Sequence, residues 1–297
     1  MADSFLNITD STFFLISKCD SIVLLVESAI VCFGNGLVVA VTWRSKTLRS
    51  SCYVLIAVQA VCDILRQGQQ LVITYGAFAE IRLSLYQCYM LNLVGTLAMD
   101  YCTILMLFIA VDRFVAAKFP FLYLRLTRRK YYLATILCSC FLYTSILKIV
   151  FYVQIGNETL FCTVGALQNF AKNDIWLICN TTVNVTVILI YVALTRVTKA
   201  SLSEYQKINR SLNILILIHI IGWVLPFAVV IGLSFLIRSR LFLSAIQITM
   251  IAVWNINMIA PVFIYYFCSS VYNAEIRKML RFIGDATHTS VQSVSTF

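Results

Sequence analysis

The stretch CYMLNLVGTLAMDYCTILMLFIAVDRF, from Cys88 to Phe114, decides the fold of this 297-residue chain. Over the 25 residues from Cys88 to Arg113, a helix would rise roughly 37 Å, enough to cross the hydrocarbon core of a bilayer and reach both headgroup regions. A cysteine opens the stretch, and the charged pair Asp112-Arg113 closes it shortly before Pro120. This pattern predicts a membrane-spanning helix whose Cys88 end faces an oxidising exterior.

The composition places the whole chain in the membrane. Hydrophobic residues make up 61% of it, charged residues only 12%, and the mean hydropathy is +0.88, far more apolar than a soluble domain. A spanning helix needs roughly 20 predominantly apolar residues, and seven such segments predict an all-α membrane protein built as a seven-helix bundle. The segments are Ser21–Trp43, Tyr53–Tyr75, Gln87–Val111, Tyr131–Val153, Ile175–Thr195, Ser211–Ile237 and Leu241–Phe267.

The distribution of charge orients the bundle. The chain has a net charge of +10, and its excess of Lys and Arg falls in alternate loops and the tail. The positive-inside rule then predicts residues 1–20 outside, the seven-helix bundle 21–267 in the membrane, and residues 268–297 inside. The basic loops are expected to face anionic lipid, and nucleic acid is not an expected partner. Asn7 and Asn157 open glycosylation sequons in loops predicted to be outside.

Three cysteines, Cys19, Cys88 and Cys162, lie where an oxidising exterior could act on them, and the last two are placed to form a disulfide. Cys88 begins the third segment, and Cys162 lies in the loop between the fourth and fifth. A bond between them would hold that loop across the mouth of the bundle. Two unpaired thiols are the alternative, and compartment and placement favour the bond.

Polar residues at membrane depth need a polar environment or a partner. Asn35 lies in the first segment and Asp63 in the second. They can hydrogen-bond each other, hold water or bind a cation, and the residues leave these readings open.

A set of motifs resembles the rhodopsin-like (class A) G-protein-coupled receptors. Its members are Gly34-Asn35-x-x-Val38, Ala60-x-x-Asp63, Cys88 with Arg113 at its distance, Asp112-Arg113-Phe114 and Pro120. The run from Arg44 to Tyr53, followed by Gln59 to Asp63, resembles the nematode serpentine chemoreceptors of the SRSX class more particularly. The resemblance covers the whole membrane region.

The chain departs from the class A pattern at several motifs. Phe114 replaces a Tyr, and Trp223 lies one residue early, which puts Val224 at the usual toggle position. Cys102 replaces a Ser and Ala260 an Asn that the resemblance would assign to a sodium site, so a sodium pocket around Asp63 is doubtful.

The resemblance implies a mechanism. Pro226 and Pro261 would kink their helices and give the bundle two packings of similar energy. Arg113, paired with Asp112 at rest, would meet a helix of a heterotrimeric G protein on the cytoplasmic face once helix six moves. Residues 269–282 would form an amphipathic helix on the inner leaflet. The implied coupling residues are Asp112, Arg113, Phe114, Pro120 and Phe121.

The ligand is expected to be a small, mainly apolar molecule bound between helices three, five, six and seven. Gly95 stands where the resemblance would place the Asp of amine receptors, which argues against a biogenic amine. Asp100 either contacts a ligand or pairs with Lys148, and both readings stay open. The expected ligand contacts are Asn92, Gly95, Thr96, Met99, Asp100, Phe227, Ile231, Met250 and Trp254.

These features predict a chemosensory receptor that needs no cofactor. The expected location is the plasma membrane, with a multi-pass chain and an outer N-terminus, and a sensory cilium fits a chemoreceptor. A peptide or neurotransmitter receptor of the same fold is the alternative, and a seven-helix transporter or channel is a weaker one. An enzyme is disfavoured because the sequence lacks a His-rich metal cluster, a nucleophile elbow and a phosphate loop.

Overall fold

The structure is a computed structural model of the chain. It describes residues 8–129, 131–156, 158–165, 174–199, 214, 218, 222–223, 225–236, 239–279 and 281. In that part helices dominate, with one two-stranded sheet. The helices are α1 (Asp10–Arg44), α2 (Ser51–Arg66), α3 (Gly68–Ala79), α4 (Leu85–Lys118), α5 (Pro120–Thr127), α6 (Tyr132–Val153), α7 (Asp174–Lys199), α8 (Leu225–Leu236) and α9 (Arg240–Cys268).

Five stretches of the described chain are long and apolar enough to cross a membrane. They are Asp10–Arg44, Leu85–Lys118, Tyr132–Val153, Ile178–Val197 and Leu241–Phe267. The predicted second segment appears as two helices, α2 and α3, and only the later part of the predicted sixth segment is described, chiefly as α8. The chain is an all-α membrane protein, as its composition predicts.

Helix α1 begins eleven residues before the predicted start of the first segment. Thr9 caps it, its side-chain oxygen accepting a hydrogen bond from the Thr12 N–H at 3.3 Å. Phe13 and Phe14 are buried in this extension, with exposed fractions of 0% and 8%. The expected tail of residues 1–20 is therefore helical from Asp10 onward, because its two aromatic rings have a surface to pack against.

The second spanning segment breaks at Gln67. Helix α2 ends at Arg66 and α3 starts at Gly68, and the Gln67 N–H bonds back to the Ile64 carbonyl at 3.0 Å. The Gln67 side chain donates to the Asp63 carbonyl at 3.1 Å and accepts from the Ser28 hydroxyl at 2.9 Å. These bonds satisfy polar groups that the break exposes at membrane depth, where water is scarce.

Two loops pair as a short antiparallel sheet at one end of the bundle. Strand β1 (Leu83–Ser84) pairs with β2 (Thr159–Leu160), with Leu83 opposite Leu160. Ser84 also starts α4 through a capping box with Gln87, in which each side chain accepts a hydrogen bond from the other residue's N–H. The sheet therefore joins the start of α4 to the loop that follows α6.

Helix α4 lies at the centre of the bundle and contacts α2, α6 and α7 as well as α3 and α5. Its Cys88 lies at the end that carries the sheet, called here the disulfide end. Its Arg113 lies at the opposite end, called here the arginine end. Helix α1 runs from the disulfide end to the arginine end and packs against α9.

A further helix covers residues 270–279 at the arginine end. Tyr272 and Ile276 are buried on one side, with exposed fractions of 1% and 3%, whereas Arg277 and Lys278 are exposed. One turn separates the two buried residues, so the segment is amphipathic, as expected for residues 269–282. Residue 280 and residues 282–297 lie outside the described chain.

Candidate ligand cavity and coupling end

Cys88 and Cys162 are joined in a disulfide, with sulfurs 2.01 Å apart and Cα atoms 5.4 Å apart. The amide of Asn92, one turn further along α4, donates to the Cys88 carbonyl at 3.0 Å and to the Cys162 sulfur at 3.1 Å. Asn92 was expected to contact the ligand. The structure instead places it as a brace for the bridge, because its amide lies directly beneath the two sulfurs.

The loop held by this disulfide covers the disulfide end of the bundle. Phe161 packs edge-on against Phe13 and Phe14 of α1, with ring centroids 5.0 and 6.0 Å apart. An ion pair between Lys18 and Glu80 at 2.6 Å adds a second link from α1 to the neighbouring loop. The first turns of α1, the sheet β1–β2 and the loop around Phe161 thus cover this end of the bundle, and we call them the lid.

Beneath the lid lies a cavity of about 390 Å³, counting the space up to its open mouth. Its walls come from the second segment, α4, α7, α9, the lid and the residues before α8. Met99 and Trp254 are the predicted ligand contacts that line it. The lining residues are Arg66, Gln69, Gln70, Ile73, Met99, Val164, Trp176, Trp223, Ile251 and Trp254.

The other predicted ligand contacts are placed differently. Thr96 is buried and donates to the Leu93 carbonyl at 3.1 Å, within its own helix. Met250 is half-buried on α9 but is not part of the lining described here. The side chains of Phe227 and Ile231 lie outside the described part of the structure.

Gly95 lies against the side chain of Gln69, which lines the cavity. A Cβ atom at position 95 would lie 2.4 Å from the Cγ of Gln69, much too close for a real contact. The missing side chain of Gly95 therefore makes the room that Gln69 occupies. The position that we expected to contact the ligand instead admits a polar side chain from the second segment.

Asp100 pairs with Lys148, one of the two readings that the sequence left open. The Lys148 ammonium lies 2.7 Å from Asp100 Oδ2, and the Asp100 and Lys148 side chains are 0% and 10% exposed. The indole N–H of Trp176 donates to the other carboxylate oxygen at 2.9 Å. Asp100 is therefore engaged by its own protein on both oxygens and lies outside the lining of the cavity.

Trp223 reaches the cavity from the residues before α8. Its ring lies 5.4 Å from the Arg66 guanidinium carbon and stacks with Trp254 at 6.4 Å. Residues 222–223 form a wide, π-type turn just before Pro226, the kind of local widening that accompanies a helix kink. Val224, expected at the toggle position, lies outside the described residues, and the neighbouring Trp223 is one of the three tryptophans that line the cavity.

Asn35 and Asp63 do not bond to each other in the structure, which describes both. The Asn35 amide donates to the Met258 carbonyl of α9 at 3.1 Å. Asp63 accepts a weak hydrogen bond from the Cys102 thiol at 3.7 Å. The polar core is thus a set of separate links between helices, with Cys102 serving where the resemblance would place a Ser.

At the arginine end, two tyrosine hydroxyls hold the carboxylate of Asp112, which stays within electrostatic reach of its neighbour Arg113. The hydroxyls of Tyr132 and Tyr123 donate to its two carboxylate oxygens at 2.8 and 3.3 Å. No ion pair within 4.0 Å joins Asp112 to Arg113, both of which are described. The resting pair expected from the sequence is absent, because two tyrosines from α5 and α6 have taken the carboxylate.

The Tyr123 hydroxyl keeps its proton in this arrangement. Burial, with the nearby Asp112 carboxylate as a second cause, raises the pKa of Tyr123 to about 12. The phenol is therefore a hydrogen-bond donor throughout the physiological pH range. It fastens the loop helix α5 to the end of α4.

Arg113 faces the interior of the arginine end, within electrostatic reach of Cys52, Tyr53 and Tyr265. Tyr272 stacks on Tyr265 at 5.1 Å and meets Tyr53 edge-on at 5.5 Å, and its hydroxyl bonds to Thr42 at 3.1 Å. This tyrosine cluster links α1, α2, α9 and the helix over residues 270–279. The sequence analysis missed it, although Tyr265 follows Pro261 by four residues, one helical turn.

The remaining coupling residues lie on or beside α5. Pro120 is its first residue, where the lack of an N–H costs nothing. Phe121 is 88% exposed, an apolar ring of the kind that a protein partner covers. Phe114 lies below the Lys118 ammonium, 5.6 Å from ring centroid to nitrogen. Pro226 is the second residue of α8, and Pro261 lies inside α9 without ending it.

The largest omission of the sequence analysis concerns the second segment. Arg66, Gln69 and Gln70 line the cavity, with exposed fractions of 6%, 4% and 2%. The run Arg66-Gln67-Gly68-Gln69-Gln70 was visible as a polar interruption of an apolar segment, and polar residues at membrane depth indicate function. The wall of the cavity is therefore more polar than expected. The sequons at Asn7 and Asn157 lie outside the described residues.

Comparison with known families agrees with this architecture. The sequence profile described as "Serpentine type 7TM GPCR chemoreceptor Srsx" matches residues 28–280. No curated protein sequence matches the chain significantly. The matched region covers most of the chain, from the middle of α1 to the helix after α9, and includes the cavity and the arginine end. The chain therefore belongs to the Srsx family of serpentine seven-transmembrane G-protein-coupled chemoreceptors, a family of receptors and not of enzymes.

Proposed function

We propose that this receptor binds a small molecule in the cavity below the lid and activates a heterotrimeric G protein at the arginine end. The observation that carries the proposal is the placement of both features on one central helix. Met99 of α4 lines the cavity, and Arg113 of the same helix lies in the tyrosine cluster. Helix α4 would therefore contact the ligand near one end and the G protein near the other.

The form of the cavity supports a small ligand. The lid, held by the Cys88–Cys162 bridge, limits access to the cavity, which favours a small ligand over a large one. Seven of the ten lining residues are apolar or aromatic. A peptide receptor would need a more open mouth, and an amine receptor would need an uncompensated carboxylate, whereas Asp100 is already paired with Lys148.

The signal would pass through the helices that contain proline. Trp223 touches the cavity three residues before Pro226, and Tyr265 lies near Arg113 four residues after Pro261. A ligand that binds better to one of two packings shifts the population toward that packing. Phe121, exposed on α5, would then dock on the G protein while Arg113 meets its helix.

The proposed orientation places the disulfide end outside the cell and the arginine end in the cytoplasm. The charge distribution supports it, because Arg44, Lys46 and Arg49 lie at the arginine end. A disulfide also forms and persists in an oxidising exterior compartment. The plasma membrane, and the cilium of a sensory neuron, are the proposed locations.

Nucleotide exchange on an added G protein tests the function. The receptor, reconstituted in lipid nanodiscs, should accelerate exchange in response to members of a panel of small volatile and lipid-like compounds. Arg113→Ala should abolish both basal and evoked exchange, because Arg113 is the cation proposed to face the G-protein helix. Arg44→Ala, which removes an exposed cation at the same end, serves as the matched control and should retain exchange.

Two results would contradict the proposal. Undiminished exchange by Arg113→Ala at matched receptor concentration would remove the coupling mechanism. Activation by amines or peptides, with the volatile and lipid-like compounds inert, would favour a peptide or neurotransmitter receptor of the same fold.

A further inference from the structure

Arg66 is a buried cation at the wall of the cavity, and no described carboxylate forms an ion pair with it. It is the last residue of α2, where the second spanning segment breaks, and it is 6% exposed. Among the described residues no carboxylate lies within 4.0 Å of its guanidinium, and its buried Nε has no hydrogen-bond partner. The ion pairs among the described residues do not include Arg66; they are Lys18–Glu80, Arg82–Asp10 and Lys148–Asp100.

The contact between Arg66 and Trp223 does not compensate this charge. Removing a guanidinium from water costs more free energy, even after the protein relaxes, than a cation gains over a desolvated aromatic face. The face of the guanidinium that meets Trp223 is also distinct from its edge, where the N–H donors lie. The donors therefore stay available to an acceptor in the cavity.

Nearby carboxylates do not fill this role. Asp63, one turn before Arg66, has an electrostatic influence on it but lies beyond 4.0 Å and accepts from the Cys102 thiol. Asp100 is neutralised by Lys148 at 2.7 Å and bonded to Trp176. The positive charge of Arg66 is therefore directed at the cavity without a protein carboxylate beside it.

Two amides one turn further on extend the polar wall. Gln69 and Gln70 are 4% and 2% exposed, and each has a buried side-chain polar atom with no partner among the described residues. Gly95 leaves the space that lets Gln69 lie against α4. Buried polar atoms without partners destabilise the folded protein, so a ligand that bonds to them relieves that cost. A guanidinium and two amides thus line one side of a cavity whose other side is apolar.

We infer that the ligand of this cavity is a small carboxylic acid with an apolar body. Its carboxylate pairs with the Arg66 guanidinium, which offers two parallel N–H donors, and accepts a hydrogen bond from the amide nitrogen Nε2 of Gln69. Its body lies against Met99, Ile251 and the stacked rings of Trp223 and Trp254. The inference rests on the proposed function and names the chemical class that this site selects.

The same contacts explain how an acid would act on the helices. Arg66 touches Trp223, which precedes Pro226 in the proline-containing sixth segment. A carboxylate that draws the guanidinium toward it changes this contact directly. An apolar ligand without an acid group would leave Arg66 where it is.

Binding to the purified receptor in nanodiscs tests the inference without any G protein. The probes are short straight-chain and aromatic carboxylic acids, each measured beside its own methyl ester. Members of the acid series should raise the melting temperature of the wild-type receptor, and their esters should not. Arg66→Gln should weaken the binding of those acids by about tenfold or more, equivalent to roughly 1.4 kcal/mol, while Arg66→Lys should keep part of it.

Arg82→Gln is the matched control, because Arg82 is an exposed arginine that pairs with Asp10 outside the cavity. It should bind the acids as the wild type does. The inference is overturned if no acid stabilises the wild type, if the esters stabilise it equally, or if Arg66→Gln keeps the full shift. The acid–ester comparison in the wild type decides the matter even if Arg66→Gln fails to fold. A receptor that binds acids but does not accelerate nucleotide exchange supports this inference and contradicts the proposed function.

Discussion

At the scale of single residues, the partners of buried charges organise this receptor. Asp100 is held by Lys148 and Trp176, whereas Asp112 is held by Tyr132 and Tyr123. In both cases the carboxylate has two protein donors and no role in the cavity. Arg66 differs, because its charge has no such partner in the described chain. Side chains of similar chemistry thus divide into structural and ligand-facing groups according to whether the protein itself satisfies them.

The pair Asp100–Lys148 yields the first stability prediction. Asp100→Asn leaves a buried ammonium without its counter-ion, and breaking such a pair costs about 3 to 5 kcal/mol. We expect a large fall in melting temperature and in surface expression, and this fall should not depend on which ligand is present. Differential scanning fluorimetry of the purified receptor measures this fall.

A second variant separates lost charge from lost shape. Asp100→Asn combined with Lys148→Met should recover most of the stability, because no charge is then left buried. Lys18→Met is the control, since it removes a lysine from a more exposed ion pair that contributes about 0 to 1 kcal/mol. Full stability of the single variant Asp100→Asn would show that the pair is not structural.

At the scale of elements, the lid and the loop helix α5 are the parts proposed to lie nearest the ligand and the G protein. The lid is built from the first turns of α1, the sheet β1–β2 and the loop around Phe161. Helix α5 begins at Pro120 and presents Phe121 to the surroundings. Both are short and depend on contacts with longer helices, because segments of this length are not stable alone.

The disulfide should be essential to the lid. Cys88→Ser breaks a bridge that spans 74 residues of chain, and loss of a native disulfide typically costs about 2 to 5 kcal/mol. We expect reduced surface expression and a lower melting temperature. Cys19→Ser, which removes an exposed free thiol, should change neither. Non-reducing peptide mapping that found Cys88 and Cys162 unlinked in surface receptor would contradict the prediction.

Phe121→Ala should weaken coupling and leave ligand binding intact. The ring is 88% exposed in the receptor alone, so its loss removes contact area with a partner and little internal packing. We expect at least about a tenfold loss of potency in nucleotide exchange, equivalent to roughly 1.4 kcal/mol. Phe267→Ala, which removes another exposed ring near the end of α9, is the control. Equal losses in the two variants would argue against a specific role for Phe121.

At the scale of the whole molecule, the bundle separates two chemical environments. The disulfide end carries the lid and the cavity, and the arginine end carries the tyrosine cluster and the basic loops. Helix α4 crosses between them and contacts most of its neighbours. The ligand proposed at one end and the G protein proposed at the other would therefore act on the same packed set of helices.

Glycosylation mapping tests this orientation. Asn7 and Asn157 should both carry glycans in receptor expressed in animal cells, because their loops are proposed to lie outside. Asn180 and Asn184 also begin sequons, but they lie within α7 and should carry none. Mobility shifts after removal of each sequon, by Asn→Gln substitution, give the readout. Absence of glycan at both loop sequons would favour the inverted topology.

The sequence by itself predicted the class of this protein, including five of its membrane-spanning segments, the disulfide and the family resemblance. These follow from length, apolar content, charge and residue spacing, which are properties of the chain that packing does not alter. The tertiary structure decided which side chains share the cavity, that the second segment breaks at Gln67, and that Asp112 bonds to tyrosines and not to Arg113. Helical periodicity states which residues share a face, but the neighbour that this face meets depends on the depth and rotation of every helix in the bundle. Arg66 reaches Trp223, and Gln69 reaches the space beside Gly95, only because those depths and rotations bring distant segments together.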